Sequence, residues 1–314
     1  MRYFLKKLSS LIITLLVISL LSFAAFSVIP GDAALAKLGT DATPEAVEQL
    51  REKYGLDKPL PERYLKWLAG AVQGDFGASY RYSTKTVSEL IASRLPVTVI
   101  MAVMSFIIII GVSIPLGIIA AKYSHKPPDT VINVGSQVTM AIPSFFLGII
   151  ITYIFGIILN LFKAGDYISP QKDFWACVRY LIFPSIAVAL PKIAMVVKYL
   201  RNSLLAEVNK DYVRTAYSKG NTKDQVFKKH IFRNALIPVI TFVAMVAAEI
   251  LAGSLVIEQV FGIKGMGNLL VTSISSRDYP VVQAAVIYIT SVVVIINFAV
   301  DILYQLADPR VRYS

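Results

Sequence analysis

Residues 96–121 read PVTVIMAVMSFIIIIGVSIPLGIIAA, with Arg94 before them, Lys122 after them and no charged side chain between. A helix that crosses the hydrocarbon core of a bilayer needs about 20 consecutive apolar residues, so this stretch is long enough to span. Five further windows repeat the pattern on either side, at 8–29, 130–162, 180–200, 235–257 and 281–300. The 130–162 window is longer than one span needs, so part of it is expected to tilt or to lie outside the bilayer. The 180–200 window is the weakest, because Lys192 and Lys198 fall towards one end, and 235–257 holds a single charge, Glu249. The first window follows Lys6 and Lys7 and resembles a secretory signal, with Ala34-Leu35-Ala36 as a cleavage-like site. A signal core is about 7–15 residues, whereas this window has 22, so a retained helix is expected. The fold class is an all-α integral membrane protein with six transmembrane helices.

Composition agrees. Of 314 residues 56% are hydrophobic and 16% charged, and the mean hydropathy is +0.64. Soluble globular chains run at about 45–50% apolar and about 25% charged, which excludes an ordinary soluble enzyme and a disordered chain. The net charge of +11 would suggest nucleic acid in a soluble protein. In a membrane protein, Lys and Arg instead gather on the cytoplasmic side. The segment before the first window carries +3 and residues 192–233 carry +7, while 30–95 and 258–280 are each balanced. Both termini and 192–233 are therefore expected to be cytoplasmic, with no nucleic acid involved. One cysteine, Cys177, excludes an internal disulfide or a Cys-based metal cluster, and two histidines, His125 and His230, leave little for a histidine site.

Three regions follow: 1–30 as an N-terminal transmembrane helix, 31–95 as an extracytoplasmic helical subdomain, and 96–314 as a five-helix core with a cytoplasmic loop at about 201–234. In the subdomain, Thr43 can cap a helix, Pro44 suits its first turn, Glu45 favours its dipole and Gly55 can end it. A second helix after Pro61 is expected to place Tyr64, Leu65 and Leu68 on one face beside Trp67, and Gly74-Asp-Phe-Gly77 reads as a turn.

The cytoplasmic loop holds the densest signals. Leu205, Val208, Tyr212 and Ala216 recur at helical spacing within 203–217, and Gly220 suits a left-handed cap. Thr222-Lys-Asp-Gln225 fits a capping box. The second helix carries Val226, Phe227 and Ile231 into Arg233-Asn234 and the fifth membrane helix, with Pro238 near its start. Two short amphipathic helices about Gly220 suit docking into a groove on another protein. A hairpin lying on anionic lipid is the next reading, and a DNA-binding helix-turn-helix fits less well.

At these residues the chain resembles a family. Asp211-Tyr-Val-Arg214-Thr215-Ala216 with Gly220, then His230, Arg233-Asn234-Ala-Leu and Pro238, is similar to the coupling loop of ATP-binding-cassette importer permeases. The nearest branch is the first permease subunit of dipeptide, oligopeptide and nickel importers: the general loop signature begins Glu-Ala-Ala, and Arg214-Thr215-Ala216 is the variant expected in the peptide branch. The likeness extends through Pro30-Gly-Asp32, Gly55-Leu-Asp-Lys-Pro59, Gly74-Asp-Phe-Gly77 with Ser79, Arg94-Leu-Pro96, Pro143-Ser144-Phe-Phe146, Arg277-Asp-Tyr-Pro280 and Asp308-Pro-Arg-Val-Arg312. One departure is Phe261-Gly-Ile-Lys264-Gly-Met-Gly267, where the family usually has proline in place of Lys264.

The resemblance implies a type I importer permease fold, a second homologous permease, two ATPase subunits on the cytoplasmic side and an extracytoplasmic substrate-binding protein. It places the chain in a bacterial inner membrane. The chain has no G-x-x-x-x-G-K-[ST] loop, so ATP and Mg would be used by the partner subunits, with no cofactor held and no catalysis by this one. Gly265-Met-Gly267 lacks the third glycine of a dinucleotide loop and reads as a turn. Asp211, Arg214, Thr215, Ala216, Gly220, His230, Arg233, Asn234 and Pro238 are the coupling candidates. Arg214 and Arg233 either pair with acidic groups on an ATPase or only solvate the face, and His230 reads as a packing or helix-end residue. Glu249, inside a span, either lines the pathway with Pro143 and Ser144 or is a structural carboxylate bonded to a neighbouring helix. Ala244, Ala248 and Ala252 form a ridge suited to close packing, and Pro115, Pro143, Pro184 and Pro191 predict kinks or helix ends. Peptides are the expected substrate, nickel or a metal chelate the close variant. A stand-alone secondary transporter would want more intramembrane charges and internal repeats, and a membrane-embedded enzyme would want paired acids.

Overall fold

The computed structural model describes residues 2–28, 43–54, 57–82 and 84–307. Pro30-Gly-Asp32, Ala34-Leu-Ala36, Gly55 and the 308–312 motif lie outside the described residues. The described chain runs through α1 (Arg2–Val28), α2 (Pro44–Tyr54), α3 (Leu60–Val72), α4 (Val87–Lys122), α5 (Pro127–Ala141) and α6 (Ser144–Ile151), which opens into a π-helical segment, Thr152–Ile158. There follow α7 (Phe174–Val208), α8 (Asp211–Ser218), α9 (Lys223–Val226), a second π-helical segment Phe227–Phe232, α10 (Arg233–Val260), α11 (Met266–Ser275) and α12 (Tyr279–Ala307).

Five of these stretches are long and apolar enough to cross a membrane, and the sixth apolar window is a broken pair. Within it α5 and α6 meet at a bend of 101°. The cause is local. Pro143 has no N–H and disfavours helical backbone at the residue before it, and Ile142 is extended at φ −95°, ψ 125°. Pro143 then stands at the N-terminus of α6. Pro184 and Pro191, by contrast, are carried inside α7 without ending it.

Two helices differ from their apolar windows. α4 begins at Val87, ahead of Arg94, because Thr86 and Glu89 form a reciprocal cap: Glu89 N donates to Thr86 Oγ1 at 3.2 Å and Thr86 N to Glu89 Oε2 at 3.1 Å. α7 runs on to Val208, so Lys192 and Lys198 belong to the body of a helix rather than to the start of a loop.

The chain forms two compact units, one within Met1–Thr98 and Lys264–Val294, the other within Val99–Ile263 and Ile295–Ser314. In the first, Val87, Leu90 and Ile91 of α4 pack with Met266 and Leu269 of α11 and Val281, Ala284 and Ala285 of α12, with Phe76 against them. Helix α3 lies on α1 through Tyr64, whose hydroxyl is 2.9 Å from Ser19 Oγ, and through Tyr64 and Trp67 rings 5.4 and 5.9 Å from Phe23. Leu65, expected on the packed face, is 63% exposed. The Gly74–Gly77 turn forms as expected: both glycines have positive φ, and Gly77 N donates to Asp75 Oδ1 at 2.9 Å. Gly265-Met-Gly267 is not a plain turn. Gly265 caps α11, and Met266 N donates to Thr98 Oγ1 at 2.9 Å.

In the second unit α7 packs against α5, α6 and α10. Between lipid-embedded helices there is no hydrophobic drive to associate, so close fit decides. Small residues supply it: a Cβ on Gly117 would lie 2.8 Å from Leu200 Cδ2, and one on Gly148 would lie 3.2 Å from Ile257 and Phe261. Of the expected alanine ridge, Ala248 is buried and Ala244 half-buried, while the side chain of Ala252 lies outside the described residues.

Candidate coupling element and intramembrane ion pair

Segment 201–234 was expected to hold a first helix across 203–217. It does not. α7 stops at Val208, Asn209 and Lys210 break the helix, and α8 restarts at Asp211. The Glu207 carboxylate pins the break, accepting from Lys210 Nζ and from the Tyr212 hydroxyl. Burial, and then this bond to Glu207, push the Tyr212 phenol above its ordinary range.

Beyond α8, Gly220 takes φ +80° and donates to Tyr217 O at 2.9 Å. A Cβ there would meet nothing within 4 Å, so the requirement for glycine is conformational, not steric. Asn221 Nδ2 closes the end of α8 by donating to Ala216 O at 3.0 Å. The capping box is present: Thr222 N donates to Gln225 Oε1 at 3.0 Å and Gln225 N to Thr222 Oγ1 at 3.4 Å.

The inner face of this element is a single apolar cluster. Val213 and Ala216 of α8, Val226 of α9, Ile231 of the π-helical segment and Ala235 and Val239 of α10 pack with Leu200 and Leu204 of α7. Val208, expected in the stripe, is 42% exposed at the last position of α7. Ser203 Oγ donates to Ala235 O at 2.8 Å, joining α7 to α10 beside the cluster. The outer face is polar. Asp211 and Arg214 approach to 4.0 Å with side chains almost wholly solvated, and the Thr215 hydroxyl turns back to Asp211 O at 3.1 Å. Arg233, Asn234 and Pro238 are exposed and His230 is half-buried. The candidates therefore divide: Ala216 and Gly220 shape the element, and Asp211, Arg214, Thr215, Arg233 and Asn234 face outward.

The other candidates lie elsewhere. Glu249 of α10 pairs with Lys192 of α7, with side chains 51% and 20% exposed respectively. A carboxylate expensive in lipid is thereby neutralised by an ammonium from the adjacent helix. The sequence places Lys192 at the edge of the 180–200 window and does not show that it faces Glu249. Pro143 and Ser144 stand at the 101° break between α5 and α6.

A second charge pair was not anticipated. Asp129, in the first turn of α5, is 3% exposed, and Arg201 of α7 grips it with Nε at 2.5 Å and Nη2 at 2.6 Å. The available signal was an acid directly after Pro127-Pro128 in an otherwise basic stretch.

Comparison with known proteins agrees with this architecture. Residues 113–313 match the family described as binding-protein-dependent transport system inner membrane component, and residues 1–102 match its N-terminal region. The chain is 38% identical over 310 residues to a putative peptide transport system permease protein of Brucella abortus (strain 2308), covering 99% of this chain and 98% of the relative. It is 37% identical over 313 residues to the oligopeptide transport system permease protein AppB of Bacillus subtilis (strain 168), covering 99% of each. Among solved structures, the MetNI methionine ABC transporter in inward-facing conformations matches with a TM-score of 0.54 at 16% identity, over 70% of this chain and 97% of that one. That likeness concerns the fold alone, which is of the type I importer permease kind. With matches over nearly its whole length, this multi-pass chain belongs to the family of binding-protein-dependent transport system inner membrane components.

Proposed function

We propose that this chain is one of two homologous permease subunits of an ATP-driven importer in a bacterial inner membrane, and that it forms part of the pathway for di- or oligopeptides. Two ATPase subunits dock on the outward face of α8 and use ATP and Mg, while this subunit catalyses nothing and holds no cofactor. An extracytoplasmic binding protein delivers the peptide, and both termini and the α8–α9 element face the cytoplasm. The observation that carries the reading is the two-faced construction of that element. Asp211, Arg214 and Thr215 are presented to solvent, while Val213 and Ala216 are set in a core that also holds Leu200 and Leu204 of a membrane-crossing helix. A push on the outer face is thereby delivered to α7 and α10 as a rigid displacement. The near-full-length likeness to a permease named for oligopeptides supports the substrate class.

The test is to purify the chain with its co-expressed neighbours, reconstitute the complex and measure ATP hydrolysis with the cognate binding protein. Dipeptides, longer peptides and Ni²⁺ are added in turn. Stimulation by peptide is expected. Stimulation by Ni²⁺ alone would move the substrate to a metal, stimulation by none would refute the substrate assignment, and hydrolysis by the lone chain would refute the subunit assignment.

A further inference from the structure

The Asp129–Arg201 pair is built more completely than an incidental surface bridge. Besides the two Arg201 nitrogens, Asp129 accepts from His125 N at 2.9 Å on Oδ2 and from Asn133 Nδ2 at 2.5 Å on Oδ1. His125 adopts φ +62°, a conformation that L side chains rarely take, and its amide is the one turned to the carboxylate. Each oxygen thus has one guanidinium donor and one further donor, with the guanidinium bridging both, a geometry lysine cannot reproduce.

Its place in the chain matters as much as its chemistry. Arg201 lies in α7 seven residues before Val208, after which only Asn209 and Lys210 precede α8. Asp129 opens α5, whose far end is the 101° break into α6. The pair is therefore the charged fastening between the helix that leads into the coupling element and the helix that leads to the bent segment. A buried ion pair is weak evidence for added stability, since its desolvation offsets the attraction, and its best-attested use is to fix one arrangement.

We propose that Asp129 and Arg201 form a latch that makes α5 move with α7, so that displacement of α8 reaches the broken α5–α6 segment. They are positioning residues, and the proposal rests on the coupling reading of α8 given above. The latch stays closed through the cycle. Opening it leaves ATP hydrolysis intact and disconnects it from transport.

The experiment uses the reconstituted complex with its partner subunits and binding protein, and measures peptide uptake and ATP hydrolysis on the same vesicles. Asp129→Asn and Arg201→Ala should each lower peptide transported per ATP at least about fivefold, the low end of measured energetic couplings. Arg201→Lys, which keeps the charge without the bidentate grip, should lose less, and it carries the same test if Arg201→Ala fails to assemble. A purely structural role would lower uptake and hydrolysis together and leave the ratio unchanged, which would overturn the latch. In an Asp129→Cys/Arg201→Cys double variant, a bifunctional thiol reagent should restore the ratio, with the native Cys177 fully buried and out of its reach. Failure to restore it would show that the pair must open, again overturning the proposal. If the unaltered complex shows no peptide-stimulated uptake, the coupling reading itself falls, independently of any variant.

Discussion

Ser79 Oγ donates to Asp278 Oδ2 at 2.5 Å across 199 residues of sequence. Asp278 is fully buried and also accepts from Tyr80 N at 2.9 Å and Arg81 N at 3.3 Å, while Ser79 Oγ accepts from Tyr82 N at 2.8 Å. A buried carboxylate is costly unless donors surround it, and here one short loop supplies three. Two motifs that look independent in sequence, the Ser79 region and Arg277-Asp-Tyr-Pro280, are the two halves of one clasp.

Replacing Ser79 by Ala removes its hydrogen bond to the Asp278 carboxylate, worth about 1.5–3 kcal/mol, and also the acceptor of the Tyr82 amide. Asp278→Ala orphans three donors and should cost more. Thermal unfolding of the purified complex is expected to rank wild type above Ser79→Ala and Ser79→Ala above Asp278→Ala. An Asp278→Ala midpoint equal to wild type would remove the clasp from consideration.

At Gly220 the positive φ costs an L-residue about 1–2 kcal/mol, with asparagine better tolerated than most. Gly220→Val should leave expression intact while substrate-stimulated ATPase and uptake fall, whereas Gly220→Asn should stay near wild type. Normal uptake by a normally expressed Gly220→Val would show that the turn plays no part in coupling.

The Lys192–Glu249 pair joins α7 to α10, both within stretches long and apolar enough to cross a membrane. Either Glu249→Gln or Lys192→Met leaves one charge without its partner and should reduce assembled complex. The exchange Lys192→Glu/Glu249→Lys should recover much of the loss, with a coupling of about 0.5–3 kcal/mol in a double-mutant cycle. Additive losses would mean that the two charges act separately.

Gly262 combines φ +66° with a Cβ position 3.0 Å from Gly165 Cα, next to the Tyr180 hydroxyl that donates to Phe261 O and accepts from Gly165 N at 3.0 Å. Gly262→Ala should destabilise by about 1–3 kcal/mol from the backbone strain, and Tyr180→Phe should weaken the same junction. Limited proteolysis of the 163–173 loop reads both out. Unchanged cleavage in either variant would mean that the junction does not hold the loop.

Much of this is legible in the sequence because it is local chemistry. The Thr222–Gln225 box and the left-handed Gly220 depend on neighbours a few residues away. Pro143 breaks its window for the same kind of reason. The missed start of α4 was equally local: Thr86-x-x-Glu89 is a capping box upstream of the apolar run that drew the boundary. The misread helix at 203–217 has another cause. Its periodic stripe crosses Asn209 and Lys210 without interruption, and what stops the helix is the Glu207 carboxylate taking Lys210 and Tyr212 together.

From sequence alone came the membrane class, the apolar segments and the family resemblance, since each rests on composition and short-range order along the chain. Tertiary structure alone decided which polar groups meet: Glu249 with Lys192, Asp129 with Arg201, Ser79 with Asp278. Helical periodicity states which side chains share a face, and it carries no information on which helix lies opposite. In a medium of low dielectric that choice of opposing helix determines whether a lone charge is a liability or a fastening.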